Sequence, residues 1–141
     1  MRGEPVLRYE PPSKFHRSAI AHLEDYSSDE FNASLQVYPF RRCQGDPASL
    51  FRATLLRDWI DPRYQEANAS SLSFGTIDVP GASAVYTVQF LESVGLPRHR
   101  RRVVIVAASS LAIVDALAAA HIWSTVLPAF DALLKSLRVE A

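Results

Sequence analysis

The histidines and the single cysteine are the residues that could supply metal ligands or a nucleophile. The histidines are His16, His22, His99 and His121, and Cys43 is the only cysteine. His16 and His22 would lie about 20 Å apart on one strand at ~3.3 Å per residue, which is too far to hold one metal ion. Two arginines precede Cys43 and could activate its thiol, but a small structural cysteine is the simpler interpretation. We therefore expect no metal site and no cofactor.

The chain lacks the common sequence motifs for catalysis. The chain contains no Gly-x-Ser-x-Gly, no phosphate-binding glycine loop, no His-Glu-x-x-His and no dinucleotide-binding fingerprint. The acidic pairs are Glu24-Asp25, Asp29-Glu30 and Asp58 with Asp61. Because these pairs fall in polar stretches or at a helix end, we interpret them as solvated and not as general acid-base groups. The sequence therefore predicts no catalytic residue and a protein that is not an enzyme.

The densest run of charge contains Arg98, Arg100, Arg101 and Arg102 and lies in a predicted turn, residues 95–102. Guanidinium groups form paired hydrogen bonds to carboxylates and phosphates, so this turn is either a binding surface for an acidic protein or lipid or simply solvated. No aromatic residues alternate with the arginines to stack bases, which argues against nucleic acid. If these arginines bind a partner, replacing all four with glutamine should weaken binding and hardly change stability.

Length and composition predict one domain, residues 1–141. A 48% hydrophobic fraction argues against disorder, and 15 basic against 15 acidic residues leave no net field to attract nucleic acid or an anionic membrane. The lone cysteine and an N-terminus without an apolar leader predict a cytoplasmic location. The segment 103–122 is long enough to span a membrane, but Asp115 lies inside it, so we expect no span.

Hydrophobic periodicity predicts an α+β domain built on an antiparallel sheet. An amphipathic helix begins at Asp46-Pro47 and ends at Asp61-Pro62. A second helix, residues 122–137, carries a continuous apolar stripe that includes Phe130 and Leu134, and Pro128 should kink it or break its first turn. The predicted strands are residues 6–10, 15–23, 31–40, 72–79, 82–91, 103–107 and 111–117.

Two short motifs at the ends of the chain add to this order of elements. They are Pro11-Pro12-Ser13-Lys14-Phe15 and Ser136-Leu137-Arg138. The chain thus resembles the PsbP-like superfamily, whose domains commonly open with a proline-containing strand and end near a Ser-aromatic-or-Leu-Arg element. Phe15 stands where that opening commonly has tryptophan. The resemblance implies an α/β/α-type sandwich, with helices flanking an antiparallel sheet.

The resemblance also implies a function, because members of this superfamily mostly bind proteins and do no chemistry. They include a subunit of the photosynthetic water-oxidising complex, bacterial lipoproteins of the DcrB kind and cytosolic chaperones for secretion-system effectors. We therefore expect a bacterial, non-enzymatic protein-binding module of the chaperone or adaptor type, with a protein partner and with a homodimer as one form. The alternative is a carrier that holds a small apolar ligand in a cavity between helix and sheet. A filled core and an exposed apolar patch would favour the binding module, whereas a cavity would favour the carrier.

Overall fold

The computed structural model describes residues 4–20, 23–28, 33–42, 69–92 and 97–140. Within these ranges the chain forms nine β-strands, one α-helix and a short 3-10 helix. The predicted helix at residues 46–62 lies outside them. The elements are β1 (Val6–Arg8), β2 (His16–Ile20), β3 (Leu23–Ser27), β4 (Ala33–Arg42), β5 (Ala69–Gly75), β6 (Ala84–Glu92), β7 (Arg98–Ala107), β8 (Ser110–Ala119), the 3-10 helix (Ala120–Ile122), α1 (Trp123–Ser136) and β9 (Arg138–Glu140).

Seven of the strands form one sheet, in the order β2-β3-β4-β8-β7-β6-β5, and every pairing in it is antiparallel. The sheet consists of two meanders, β2 to β4 and β5 to β8, which join where β4 pairs with β8. Among the described strands, β2 and β5 are therefore the two edges. β1 and β9 form a separate antiparallel pair that brings the two ends of the chain together.

One face of this sheet and the apolar stripe of α1 form the hydrophobic core. The strands contribute alternate residues, because side chains on a strand alternate between its two faces, whereas the helix contributes residues three or four apart. Leu35, Val103 and Ile105 from the sheet and Phe130 from the helix are all fully buried. The predicted stripe on the last helix is confirmed, and it is covered by β4, β7 and β8.

The Ser-Leu-Arg motif links the end of this helix to the N-terminal segment. The hydroxyl of Ser136 accepts a hydrogen bond from the backbone N–H of Glu10 at 2.9 Å. Leu137 is buried in the core at 1% exposure, and Arg138 begins β9. The motif therefore ends the helix, anchors it in the core and starts the strand that pairs with β1.

Two strand boundaries predicted before residue 80 are wrong. Residues 15–23 are not one strand, since β2 ends at Ile20 and pairs with a separate strand, β3. The strand predicted at residues 72–79 is β5, which ends at Gly75. The chain does turn at Gly81, between the two predicted strands, where φ is +86°, and an added Cβ would clash with the carbonyl oxygen of Val139. Both errors arise because short polar strands carry little periodic signal.

The predictions for the second half also need correction. Residues 98–102 do not form a turn but the first half of β7, because their backbone pairs with β6 on one side and with β8 on the other. The last helix begins at Trp123 after the 3-10 helix and continues through Pro128 without a break in its first turn. Residues 103–119, most of the stretch considered as a membrane span, belong to β7, the turn after it and β8. In the described part of the chain, no helix has the length and hydropathy that crossing a bilayer requires.

Candidate functional site

The four arginines predicted as a binding surface lie on β7 and divide between the two faces of the sheet. Arg101 is on the face that carries α1, and its guanidinium carbon lies 5.7 Å from the centre of the Phe130 ring. Arg98, Arg100 and Arg102 are on the opposite face, because strand residues alternate. The four side chains therefore do not form one surface, and whether any of them contacts a partner stays a prediction.

Asp115 on β8 binds two of these arginines and is only 3% exposed. Its Oδ2 accepts hydrogen bonds from Arg100 Nη1 at 2.7 Å and from Arg102 Nη2 at 3.1 Å. Its Oδ1 is buried and has no hydrogen-bond partner in the described part of the structure. A buried carboxylate without its cations would be costly. Replacing all four arginines should therefore reduce stability, which corrects the expectation that stability would hardly change.

The sequence contains a signal for this ion pair that residue-by-residue interpretation missed. β7 and β8 are joined by two residues, Ala108 and Ser109, so opposing residues in the hairpin have numbers that sum to 217. This register places Arg102 directly opposite Asp115. A single charged residue in a largely apolar strand, opposite an arginine in the same hairpin, would have identified the pair.

The polar side chains continue across the sheet from Asp115 to β4 and β3. Gln36 lies directly opposite Asp115, and Asp25 lies directly opposite Gln36. Gln36 donates a hydrogen bond to Asp25 Oδ1 at 3.1 Å and accepts one from the Tyr38 hydroxyl at 3.2 Å. Asp25 is therefore part of a cross-strand row of hydrogen-bonding groups, and the prediction that it is a solvated turn residue is wrong.

On the helix face, Arg101 lies beside an open groove between α1 and the segment that follows β5. Arg101 Nη1 bonds Asp131 Oδ1 at 3.3 Å, and the Asp131 side chain is 44% exposed. The groove has a volume of about 260 Å³ and carries two acids, two bases and two aliphatic side chains. It is lined by Ile77, Asp78, Arg101, Asp131, Leu134 and Lys135. This balanced lining favours no single class of ligand.

His99 packs against an aromatic ring. It is stacked on Trp123, with ring centroids 5.2 Å apart and an interplanar angle of 24°. Burial lowers its pKa, and its Nδ1 is buried with no hydrogen-bond partner in the described part of the structure. His16 and His121 are exposed, and His22 and Cys43 lie outside the described residues. No group of three potential metal ligands occurs among the residues that the structure describes.

A carboxylate with two tyrosines lies where the N-terminal segment meets β3. The hydroxyls of Tyr9 and Tyr26 both donate to Glu24 Oε2 and are 2.7 Å from each other. Burial and the bond to Glu24 raise the pKa of Tyr9, while the Tyr9 hydrogen bond is the main cause of a lowered pKa at Glu24. Glu24 thus lies on a strand and not in the predicted turn, and hydrogen bonds hold its carboxylate although the side chain is 37% exposed.

Among the described strands, β2 is the edge of the seven-stranded sheet that lies next to Glu24 and its two tyrosines. It pairs with β3 on one side, and no described strand pairs with its other side. Arg17 and Ser18 are exposed, although Arg17 also makes an ion pair with Glu24 Oε1 at 3.3 Å. The Arg17 side chain keeps 61% of its surface accessible and that of Glu24 keeps 37%. An edge strand of this kind presents backbone N–H and C=O groups to another chain.

In the described part of the chain, the apolar side chains of α1 pack against the sheet. Phe130, Leu133 and Val126 from the helix meet Ala112 and Val114 from β8, and none of the five is more than 1% exposed. The groove beside the helix opens to solvent and is not enclosed between the two layers. Val6, at 41% exposure, is the one large exposed hydrophobic residue among the described residues. The described part therefore has the filled core expected of a binding module but no exposed apolar patch.

Comparison with known proteins gives structural matches only. No family model and no curated protein matches the chain. LpqN of Mycobacterium tuberculosis, which is involved in cell envelope biogenesis, superimposes with a TM-score of 0.71 at 10% identity, over 99% of this chain and 86% of LpqN. The cyanobacterial PsbP of Synechocystis gives 0.60 at 16% identity, over 98% and 95%. PA94 of Pseudomonas aeruginosa, a protein of unknown function, gives 0.54 at 14%, over 88% and 96%.

These matches concern the fold, since identities of 10–16% do not carry function from one protein to another. They cover 88–99% of this chain. The antiparallel sheet, the closing helix and the strand that follows it agree with the fold implied by the Ser136-Leu137-Arg138 motif. The chain has a PsbP-like α+β fold.

Proposed function

We propose that the chain is a non-enzymatic protein-binding module that binds its partner along the open edge of β2. One observation carries this proposal: β2 has no strand partner on its outer side in the described part of the chain, and its Arg17 and Ser18 are exposed. An extended segment of a partner can add to such an edge through backbone hydrogen bonds, while the side chains beside it supply specificity.

The side chains of β2 favour selective pairing with one partner over non-specific pairing with any exposed strand. The strand is five residues long and includes Arg17, and natural proteins use short length and charge to limit unwanted edge pairing. A partner segment must therefore match the charges of Arg17 and its neighbour Glu24, which are both accessible. Such matching gives specificity more than affinity.

The packed side chains beneath α1 support binding of a protein over carriage of an apolar ligand in that layer. A carrier needs an enclosed, mostly apolar cavity of some hundreds of Å³. Phe130 and Leu133 instead occupy the space beneath α1 and are buried against the sheet. In a ligand-displacement assay with a fluorescent fatty acid, we expect no saturable binding.

The edge is a better candidate than the four arginines of β7. Arg100 and Arg102 bind the buried Asp115, and Arg101 binds Asp131. A partner that recruited these guanidinium groups would have to break ion pairs inside the domain, whereas a partner at β2 would add hydrogen bonds to an edge that no described strand occupies. The chaperone or adaptor role and the cytoplasmic location predicted from the sequence stay predictions.

Edge variants and one matched control test the proposal. A partner isolated with the tagged wild-type chain is purified, and its affinity is measured for Arg17→Glu, Ser18→Pro and Arg8→Glu. Arg8 is a matched control, because it also lies on a strand, is exposed and bonds a glutamate, Glu140, at 3.1 Å. We expect both edge variants to lose about tenfold or more in affinity, roughly 1.4 kcal/mol, and the control to bind normally. Unchanged affinity in folded edge variants would refute binding at β2.

A further inference from the structure

We infer that the edge of β2 pairs with β2 of a second copy of this chain, antiparallel and centred on Ser18. This inference rests on the proposed function, because it names a partner for the same edge. Pairing would join the two seven-stranded sheets into one continuous sheet around a two-fold axis. Both copies would use the same surface, as a closed two-fold dimer requires.

The residues of β2 are complementary to themselves in this register. In an antiparallel pair centred on Ser18, opposing residue numbers sum to 36, so Ser18 faces Ser18, Arg17 faces Ala19 and His16 faces Ile20. No like charges lie directly opposite each other, which matters because such pairs are destabilising. The central residue, Ser18, is small, and each Arg17 beside it faces the small Ala19 of the other copy.

The neighbouring strand adds charge complementarity across the two copies. Ala19 lies directly opposite Glu24 of β3, and Arg17 lies directly opposite Tyr26. In the dimer, four residues would therefore lie in one row across the strands. Glu24 and Ala19 of one copy would be followed by Arg17 and Tyr26 of the second copy. Arg17 of the second copy would be two strands from Glu24, about 10 Å between Cα atoms, with only an alanine between them.

Arg17 and Glu24 are both accessible for an ion pair between the two copies. The Arg17 side chain is 61% exposed and that of Glu24 is 37% exposed, so neither is enclosed by its own domain. Glu24 is also held in place by the hydroxyls of Tyr9 and Tyr26. The two-fold axis would place Arg17 of each copy near Glu24 of the other, in addition to the Arg17–Glu24 ion pair that each domain forms at 3.3 Å. Since five residues on each side bury well under the roughly 1,200–2,000 Å² of a standard interface, we expect a weak, concentration-dependent dimer.

Cysteine cross-linking reads the register directly. In a Cys43→Ser background, Ser18→Cys should form a disulfide-linked dimer on mild oxidation, because residue 18 alone would face its own copy at a Cβ separation of about 4.5–5.5 Å. Arg17→Cys and Ala19→Cys should form disulfide-linked dimers mainly when the two variants are mixed, because residue 17 of one copy faces residue 19 of the other. Ser13→Cys is the matched control, since Ser13 is exposed and lies outside the strand. Equal cross-linking rates at residues 13 and 18 would overturn the inference.

Reversing the charge at residue 17 or residue 24 provides a second test that does not depend on oxidation. In sedimentation velocity, Arg17→Glu and Glu24→Arg should each be more monomeric than the wild type, since each places like charges across the interface. Mixing these two variants should restore a heterodimer, because each interfacial contact is then again between opposite charges. A wild type that remains monomeric up to millimolar concentration would overturn self-pairing. Binding of a different protein at β2 is tested separately by the affinities of Ser18→Pro and Arg17→Glu.

Discussion

Asp115 offers the sharpest test of how the sheet accommodates the arginines of β7. We predict that Asp115→Asn lowers the free energy of unfolding by about 2–4 kcal/mol. Removing one partner of a buried ion pair typically costs about 3–5 kcal/mol, because the remaining charge stays buried. Arg100 and Arg102 keep 21% and 22% of their side-chain surface exposed, so they regain part of their hydration and the cost falls below the upper limit.

Urea denaturation followed by circular dichroism measures this difference, and Asp131→Asn is the matched control. Asp131 also binds an arginine, but its side chain is 44% exposed, and exposed ion pairs contribute about 0–1 kcal/mol. We expect the two variants to differ by at least about 1 kcal/mol at an unchanged denaturant slope. Equal stability of Asp115→Asn and Asp131→Asn would refute the claim that Asp115 is held by a buried pair.

Three further predictions concern the core, a turn and a histidine. Phe130→Ala should destabilise the fold by about 3–5 kcal/mol in a denaturant melt, because a fully buried ring leaves a cavity; a change near zero would mean that α1 is not packed on the sheet. Gly81→Ala should cost more than about 1 kcal/mol and lower the melting temperature, since its Cβ would clash with the Val139 carbonyl at a positive φ. The pKa of His99 is lowered by burial, so the unfolded chain binds more protons and stability should fall as pH drops below about 6.5. His99→Phe should keep the stacking on Trp123 and flatten that decline, and an equal decline in both proteins would show that other groups cause it.

The parts of the fold that have local periodicity could be predicted from the sequence. The stripe that includes Phe130 and Leu134 recurs at helical spacing, and both residues are buried in α1. The strand containing Leu35 and Val37 alternates with polar residues, and both side chains face the core. In each case, the spacing of the apolar residues depends only on which face of a single helix or strand is buried. A window of about ten residues therefore contains all the information needed to predict the element.

The candidate site could not be predicted in this way, because it depends on contacts between distant segments. β2 is an edge only because β4 pairs with β8, which follows it in sequence by more than half the chain, and no local pattern encodes that pairing. Tyr9 and Glu24 meet because β1 is fixed by β9 at the other end of the chain. The arginine run has the composition of a turn but forms a strand for a related reason, since the pairing of β7 on both sides outweighs the low strand propensity of its charged residues.

Hydrogen exchange at β2 tests most directly the claim that its edge is a binding surface. Amide exchange is followed by NMR in dilute and in concentrated solutions of the wild-type chain, with β1 as an internal reference. We predict that alternate amides of Arg17 to Ile20 become protected as the concentration rises, because only every second N–H of a strand points to the open edge. The amides of β1 should not change. Equal exchange of β2 at both concentrations, with protection gained at another element, would contradict the claim.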